Sequence, residues 1–244
     1  MPIAKSDIIA RLKKDILPLE GLKVIQAGEE PDLGLGIINS AFPYGNFPLG
    51  AVHEFISEGP ESESATTGFI SGLTGSLMKK GGVLVWISAS RKVFPPALQQ
   101  FGIRPERIIF IDLQKEQDRL WTIEEALKCS GLAAVVGEIN ELSFTSTRRF
   151  QLAVEQSRVT GFIIRTNSKN LHTNACVSRW KIKSIPSEFL DDLPGLGFPR
   201  WQVELLKMRN GKPGIWQIEW SSGRFRFILE TLPSLLLEQK RKTG

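Results

Sequence analysis

Ala51-Val52-His53-Glu54-Phe55-Ile56 runs into Gly59-Pro60-Glu61-Ser62-Glu63-Ser64-Ala65-Thr66-Thr67, after which Phe69, Ile70, Leu73 and Leu77 recur at helical spacing. The first run is short, apolar and rich in β-formers, whereas Ala65 to Lys79 carries the period of an amphipathic helix. Between them lies a polar segment that begins with glycine, at the point where the free amides of a helix start can surround a phosphate. Strand, glycine-led loop and helix in that order predict the opening unit of an α/β domain.

Downstream of this unit, β-rich runs recur at Val83 to Ile87, Arg107 to Ile111, Leu132 to Val136 and Gly161 to Arg165. Helical periodicity returns between them at Trp121 to Cys129 and Thr147 to Gln156. The alternation predicts a mainly parallel sheet with helices on both faces. The last third differs, because Trp201 to Leu206, Ile215 to Trp220 and Arg224 to Ile228 alternate apolar with polar residues and are joined by the turn sequences 210–214 and 221–223. An antiparallel meander on the edge of the parallel sheet is expected there. Upstream, Ile8, Ile9, Leu12 and Ile16 predict a short helix over 5–16, and the glycines and prolines of 31–49 predict a looped approach. The chain thus divides into an N-terminal helix and loop (1–45), one α/β core (46–230) and a basic tail (231–244).

Composition is that of a globular protein, with 41% apolar and 23% charged residues among 244. Cys129 and Cys176 stand far apart without a ligand or disulfide pattern, no apolar run reaches membrane-spanning length and no signal-peptide pattern opens the chain, so a cytoplasmic setting is expected. The net charge of +5 is unevenly placed: residues 200–244 hold nine basic and four acidic side chains, while the preceding 199 balance at 22 of each. An anionic partner is therefore expected to meet the C-terminal fifth.

The segment Gly59 to Thr67 resembles the Walker A loop of the RecA recombinases, glycine-proline-glutamate-serine-serine-glycine-lysine-threonine-threonine. Ser64 stands for the second glycine and Ala65 for the lysine that reaches the β- and γ-phosphates, and Glu63 adds a negative charge to a loop meant for a polyanion. Ile87-Ser88-Ala89-Ser90 resembles the family's isoleucine-aspartate-alanine-glutamate, so Ser90 replaces the water-activating glutamate. Gly137, at the end of Ala134-Val135-Val136-Gly137, occupies the place of the metal-associated aspartate. Glu138 is the one substitute nearby, and a one-residue shift at a strand end points it to the other face, which argues against a metal role. Three parts of phosphoryl-transfer machinery are thus missing, and no cofactor is expected.

Further stretches sharpen the resemblance. His53-Glu54, Ala65-Thr66-Thr67-Gly68-Phe69, Gly81 to Ile87, Arg148-Arg149-Phe150-Gln151-Leu152-Ala153, Ser178-Arg179-Trp180, Pro199-Arg200-Trp201 and Glu219-Trp220 are similar, in order, to the ImuA proteins, a RecA-like branch without a functional Walker motif to which the division inhibitor SulA is related. The resemblance implies a RecA-like fold and a non-catalytic role in SOS-induced translesion synthesis and damage-induced mutagenesis. It also implies as partners an ImuB-like inactive Y-family polymerase and an error-prone C-family DNA polymerase, with RecA and DNA as further contacts and no membrane. A nucleotide-dependent RecA-like switch and a SulA-like inhibitor remain as alternatives.

Outside the vestigial loop residues Gly59, Ser62, Ser64, Ala65, Thr66, Ser90 and Gly137, the contact candidates are Arg148, Arg149, Trp216, Trp220, Arg224, Lys240, Arg241 and Lys242. Trp216 and Trp220 share one strand face and would anchor a partner if that face is exposed. The basic cluster 240–242 follows Leu235-Leu236-Leu237, and its expected use is attraction to DNA or an acidic surface. The two histidines, His53 and His172, have no companion ligands at metal spacing, and no Gly-x-Ser-x-Gly elbow supports hydrolase chemistry.

Overall fold

The computed structural model describes residues 31–166, 172–188 and 197–228. The expected helix at 5–16 and the tail with Lys240, Arg241 and Lys242 lie outside the described residues.

Twelve principal elements follow one another: β1 (Val52–Ile56), α1 (Pro60–Met78), β2 (Val83–Ser88), β3 (Ile108–Asp112), α2 (Glu116–Leu127), β4 (Leu132–Ile139), α3 (Phe144–Ser157), β5 (Thr160–Arg165), β6 (Ser178–Ile185), β7 (Arg200–Met208), β8 (Gly214–Ser221) and β9 (Arg224–Phe227). The strands form one nine-stranded sheet in the order β3-β2-β4-β5-β1-β6-β7-β8-β9. The first six in that order pair in parallel, and β6 to β9 continue as antiparallel neighbours. This is the expected parallel core with a meander on its edge.

Helices cover both faces. Alternation along β1 sends Phe55 to the α1 side and Val52 to the side of α2 and α3. The α1 layer gathers Phe69, Leu73, Trp86, Phe162 and Trp180. The opposite layer gathers Ile87, Ile123, Leu127, Phe150, Val154 and Ile163. Burying both faces explains why the parallel strands read as continuous apolar runs.

The structure departs from the sequence reading in two elements. First, β6 is a full strand of eight residues, hydrogen-bonded to β1 on one side and β7 on the other. Its alternate positions carry Arg179, Lys181 and Lys183, whose charge hides the alternation of the buried Trp180 and Ile182. Second, α1 begins at Pro60 rather than near Ala65, so the segment expected to form a phosphate loop is helical. Gly59, at φ 87°, turns the chain from strand to helix, and Pro60 follows with its φ already fixed for a first helical position. Glu61 and Glu63 fall in the first turn, where the positive end of the helix dipole favours carboxylates.

Candidate functional site

A loop that binds phosphate leaves its amides pointing into a hollow. Here the Glu63 N–H is 3.0 Å from the Gly59 carbonyl, and amides further along α1 are engaged within the helix. The hydroxyls of the vestigial motif are committed as well. Ser62 Oγ donates to the Ile182 carbonyl at 2.9 Å, Ser64 Oγ to the Pro60 carbonyl at 2.9 Å, and Ser57 Oγ to Thr66 Oγ1 at 3.0 Å. Thr66, the position of a metal-binding hydroxyl in the recombinase pattern, is fully buried.

Beside the first turns of α1 a cleft of about 660 Å³ remains, lined by α1, by the segment 92–101 and by Pro199 and Trp201. Of the predicted loop residues, Ser64 and Ala65 reach it. Gly59, Ser62, Thr66, Ser90 and Gly137 do not line it, and the exposed Ser90 lies just past β2, its carbonyl accepting from Ser88 Oγ at 3.2 Å. Gly137 faces α2 instead, since a Cβ there would lie 2.3 Å from Ile123 Cδ1. The expectation that Glu138 points away from the site is therefore corrected: the α2 side belongs to Gly137, and Glu138 faces the cleft.

Glu138 accepts from Trp86 Nε1 at 2.7 Å. Burial raises its pKa, opposed by the Trp86 N–H and by the charge of Lys92. Lys92, absent from the sequence-derived candidates, pairs with Glu63 at 2.8 Å, and that hydrogen bond raises its own pKa. Three carboxylates, Glu61, Glu63 and Glu138, thus line the cleft with a single lysine. The balance repels a triphosphate. Apolar side chains, Val93, Ala97, Leu98, Phe101 and a Phe94 that is 67% exposed, share the rest of the wall with Ser64, Thr67, Ser71, Gln100, Thr166 and Ser184.

The contact candidates separate into two groups. Trp220 is buried, its Nε1 3.2 Å from the Gln100 carbonyl and its ring 5.1 Å from Phe101 and 4.8 Å from Phe225. Trp216 is half-buried against the same core. Their shared face is turned inward, so neither is an exposed anchor. Arg148, Arg149 and Arg224 are exposed, with Arg149 paired to Glu124.

A second polar cluster went unread in the sequence. Glu54 is fully buried in β1, with Asn174 Nδ2 at 2.7 Å, Arg165 Nη1 at 3.5 Å and Arg179 Nε also donating to it. Arg179 further donates to the His172 carbonyl at 2.7 Å, and Lys207 and Arg209 donate to the carbonyls of Asn174 and Ala175. These bonds hold the chain on both sides of residues 167–171. A charged residue alone in an apolar strand, like Glu54, is the signal that could have exposed the cluster.

No protein-family profile matches the chain. The protein ImuA of Caulobacter vibrioides is 36% identical over 194 residues, covering 75% of this chain and 80% of the relative, with the same figures in two strains. The chain belongs to the ImuA family. A cell division inhibitor SulA of Photorhabdus laumondii is 27% identical over 104 residues, covering 43% of this chain and 59% of the inhibitor. Among solved structures the RadB recombinase superposes with a TM-score of 0.58 at 15% identity, over 82% of this chain and 100% of RadB. That likeness shows a RecA-like fold for this ImuA-family chain.

Proposed function

We propose that this chain is a non-catalytic accessory subunit of SOS-induced translesion synthesis and damage-induced mutagenesis. It acts through protein contacts with an ImuB-like inactive Y-family polymerase and an error-prone C-family DNA polymerase, with RecA and DNA as further contacts. ImuA membership supports the pathway. The observation that carries the non-catalytic reading is the helical start of α1 at Pro60, which engages the amides from Glu63 onward and the hydroxyls of Ser62, Ser64 and Thr66 and sets Glu61 and Glu63 beside the first turn. Lysine at position 65 alone does not rebuild that cradle. No helix among the described residues is long and apolar enough to cross a membrane.

The purified protein is expected to show no ATP turnover above background with single-stranded DNA, and Ala65→Lys none either. Turnover abolished by Ser62→Ala or Thr66→Ala would overturn the reading. In cells, deletion is expected to lower damage-induced mutation without abolishing growth, and unchanged induced mutation would remove the pathway assignment. The SulA match favours a second reading, a cell-division inhibitor. Filamentation of undamaged cells that overproduce the chain would select it.

A further inference from the structure

The accessory reading gives the cleft beside α1 no task, yet its chemistry is distinctive. Its outer wall sets Val93, Phe94 and Phe101 near Trp201, and Phe94 leaves 67% of its surface in water. Its charged lining is acidic in a chain whose net charge is +5. With Glu63 paired to Lys92 at 2.8 Å, three carboxylates face that one lysine among the described residues lining the cleft, leaving an excess of negative charge. An occupant that fits presents apolar side chains followed by positive charge.

The chain carries such a sequence beyond Ile228. Leu229, Leu232, Leu235, Leu236 and Leu237 precede Lys240, Arg241 and Lys242. The described chain ends in β9, whose Phe225 faces the α1-side core and whose Phe227 lies against Gly36. Phe225 of β9 packs against Gly72 of α1, its ring 6.3 Å from that of Trp201, which lines the cleft. Twelve residues, 229 to 240, span up to about 40 Å when extended. A globular body of this size has a radius of gyration of about 16 Å. Every part of the cleft is within reach, and a tether raises the local concentration to the millimolar range, where modest contacts suffice.

We propose that the cleft beside the first turns of α1 is a docking site for the chain's own C-terminal segment, residues 229–244, with the leucine run against Phe94, Phe101 and Trp201 and the basic cluster against Glu61, Glu63 and Glu138. This goes beyond the accessory reading and does not rest on it: the chain's partner-binding surfaces then change with whether the segment is seated or released.

The test uses the full-length protein at low concentration, a carbodiimide that joins carboxylates directly to amines, and mass-spectrometric mapping of the links. Glu63 to Lys92, 2.8 Å apart, is the internal control. The expected result is a link from Lys240 or Lys242 to Glu61, Glu63 or Glu138 whose yield does not change on tenfold dilution. In the variant Leu236→Ser with Leu237→Ser, which leaves the charge of the segment unchanged, that link should fall at least fivefold while the control link persists, which also shows that the fold is intact. A control link without any tail link overturns the proposal. So does a tail link that vanishes on dilution, since a second copy then supplies the segment, or one unchanged in the double variant, since charge alone then explains it. No nucleotide or mutation assay enters, so this result is independent of the fate of the accessory reading.

Discussion

His53 lies at the centre of the α1-side core, its ring 4.2 Å from Phe47 and 5.9 Å from Phe162. Its Nε2 is 2.8 Å from the Pro48 carbonyl, which only accepts, so that nitrogen carries the proton. Nδ1 then accepts from Ser178 Oγ at 2.7 Å, and the hydroxyl in turn accepts from Trp180 Nε1 at 2.6 Å. The chain of donors fits a neutral imidazole. Burial pushes the His53 pKa down to about 3, only partly offset by the Pro48 hydrogen bond. Since the unfolded chain protonates the same histidine near 6.5, the unfolded state binds the extra proton as pH falls. Stability is thus fully present above 6.5 and is lost progressively toward 3. Between pH 7 and 5.5 the expected loss is about 1 kcal/mol. Glu138, whose pKa is raised, acts in the opposite direction, so the informative quantity is the difference between the wild type and His53→Gln. Urea midpoints at the two pH values should converge between the proteins as pH falls. Parallel shifts in both would remove His53 as the cause.

Helix α1 illustrates which elements can be read from sequence. Its interior is legible because Phe69, Ile70 and Leu73 keep helical spacing, and the strand and helix alternation is legible because buried parallel strands leave uninterrupted apolar runs. Its true start is not, because glycine-proline followed by acidic and serine residues suits a loop and a helix entry equally, and the similarity to a phosphate loop favours the former. Strand β6 is obscured by the cations at its alternate positions, and the cleft depends on Lys92, Phe94 and Glu138, which come together only through the tertiary fold. The glycines of α1 carry a further signal of close packing. Gly68, Gly72 and Gly75 recur at helical spacing, and added Cβ atoms would approach Trp201 to 2.8 Å, Phe225 to 2.5 Å and the Phe101 carbonyl oxygen to 1.9 Å. They let the meander and the 95–101 turn close onto the helix. Alanine in a helix interior ordinarily gains up to about 1 kcal/mol over glycine. Gly75→Ala should nevertheless destabilise by about 2 kcal/mol, because the obstacle is backbone and overpacking outweighs propensity. A denaturation midpoint at or above wild type would show that the turn simply moves aside.

At the scale of the whole molecule, one sheet joins the RecA-like half to the meander, and the α1-side core is built from both. Phe69 of α1 packs at 5.2 Å from Phe225 of β9 and at 6.4 Å from Trp201 of β7, while Trp180 of β6 stacks on Phe55 of β1 at 6.1 Å. Were the meander an appendage, its aromatic side chains would pack among themselves and it could melt alone. Here α1 loses the partners of Gly68 and Gly72 if β7 to β9 leave, exposing an apolar helix face and several aromatic rings that each bury roughly 150–250 Å². The gross burial given up in such an intermediate is comparable with the whole of the roughly 5–15 kcal/mol that typically stabilises a domain, so the two halves should unfold in one step. Tryptophan emission and far-UV circular dichroism should therefore give coincident urea transitions, with Trp86 and Trp180 reporting the parallel sheet and Trp201 and Trp220 the meander. A Trp220→Phe variant assigns the fluorescence change. If emission from Trp201 and Trp220 shifts at lower urea than the loss of helical signal, the meander is a separate cooperative unit and the shared core does not bind the halves together.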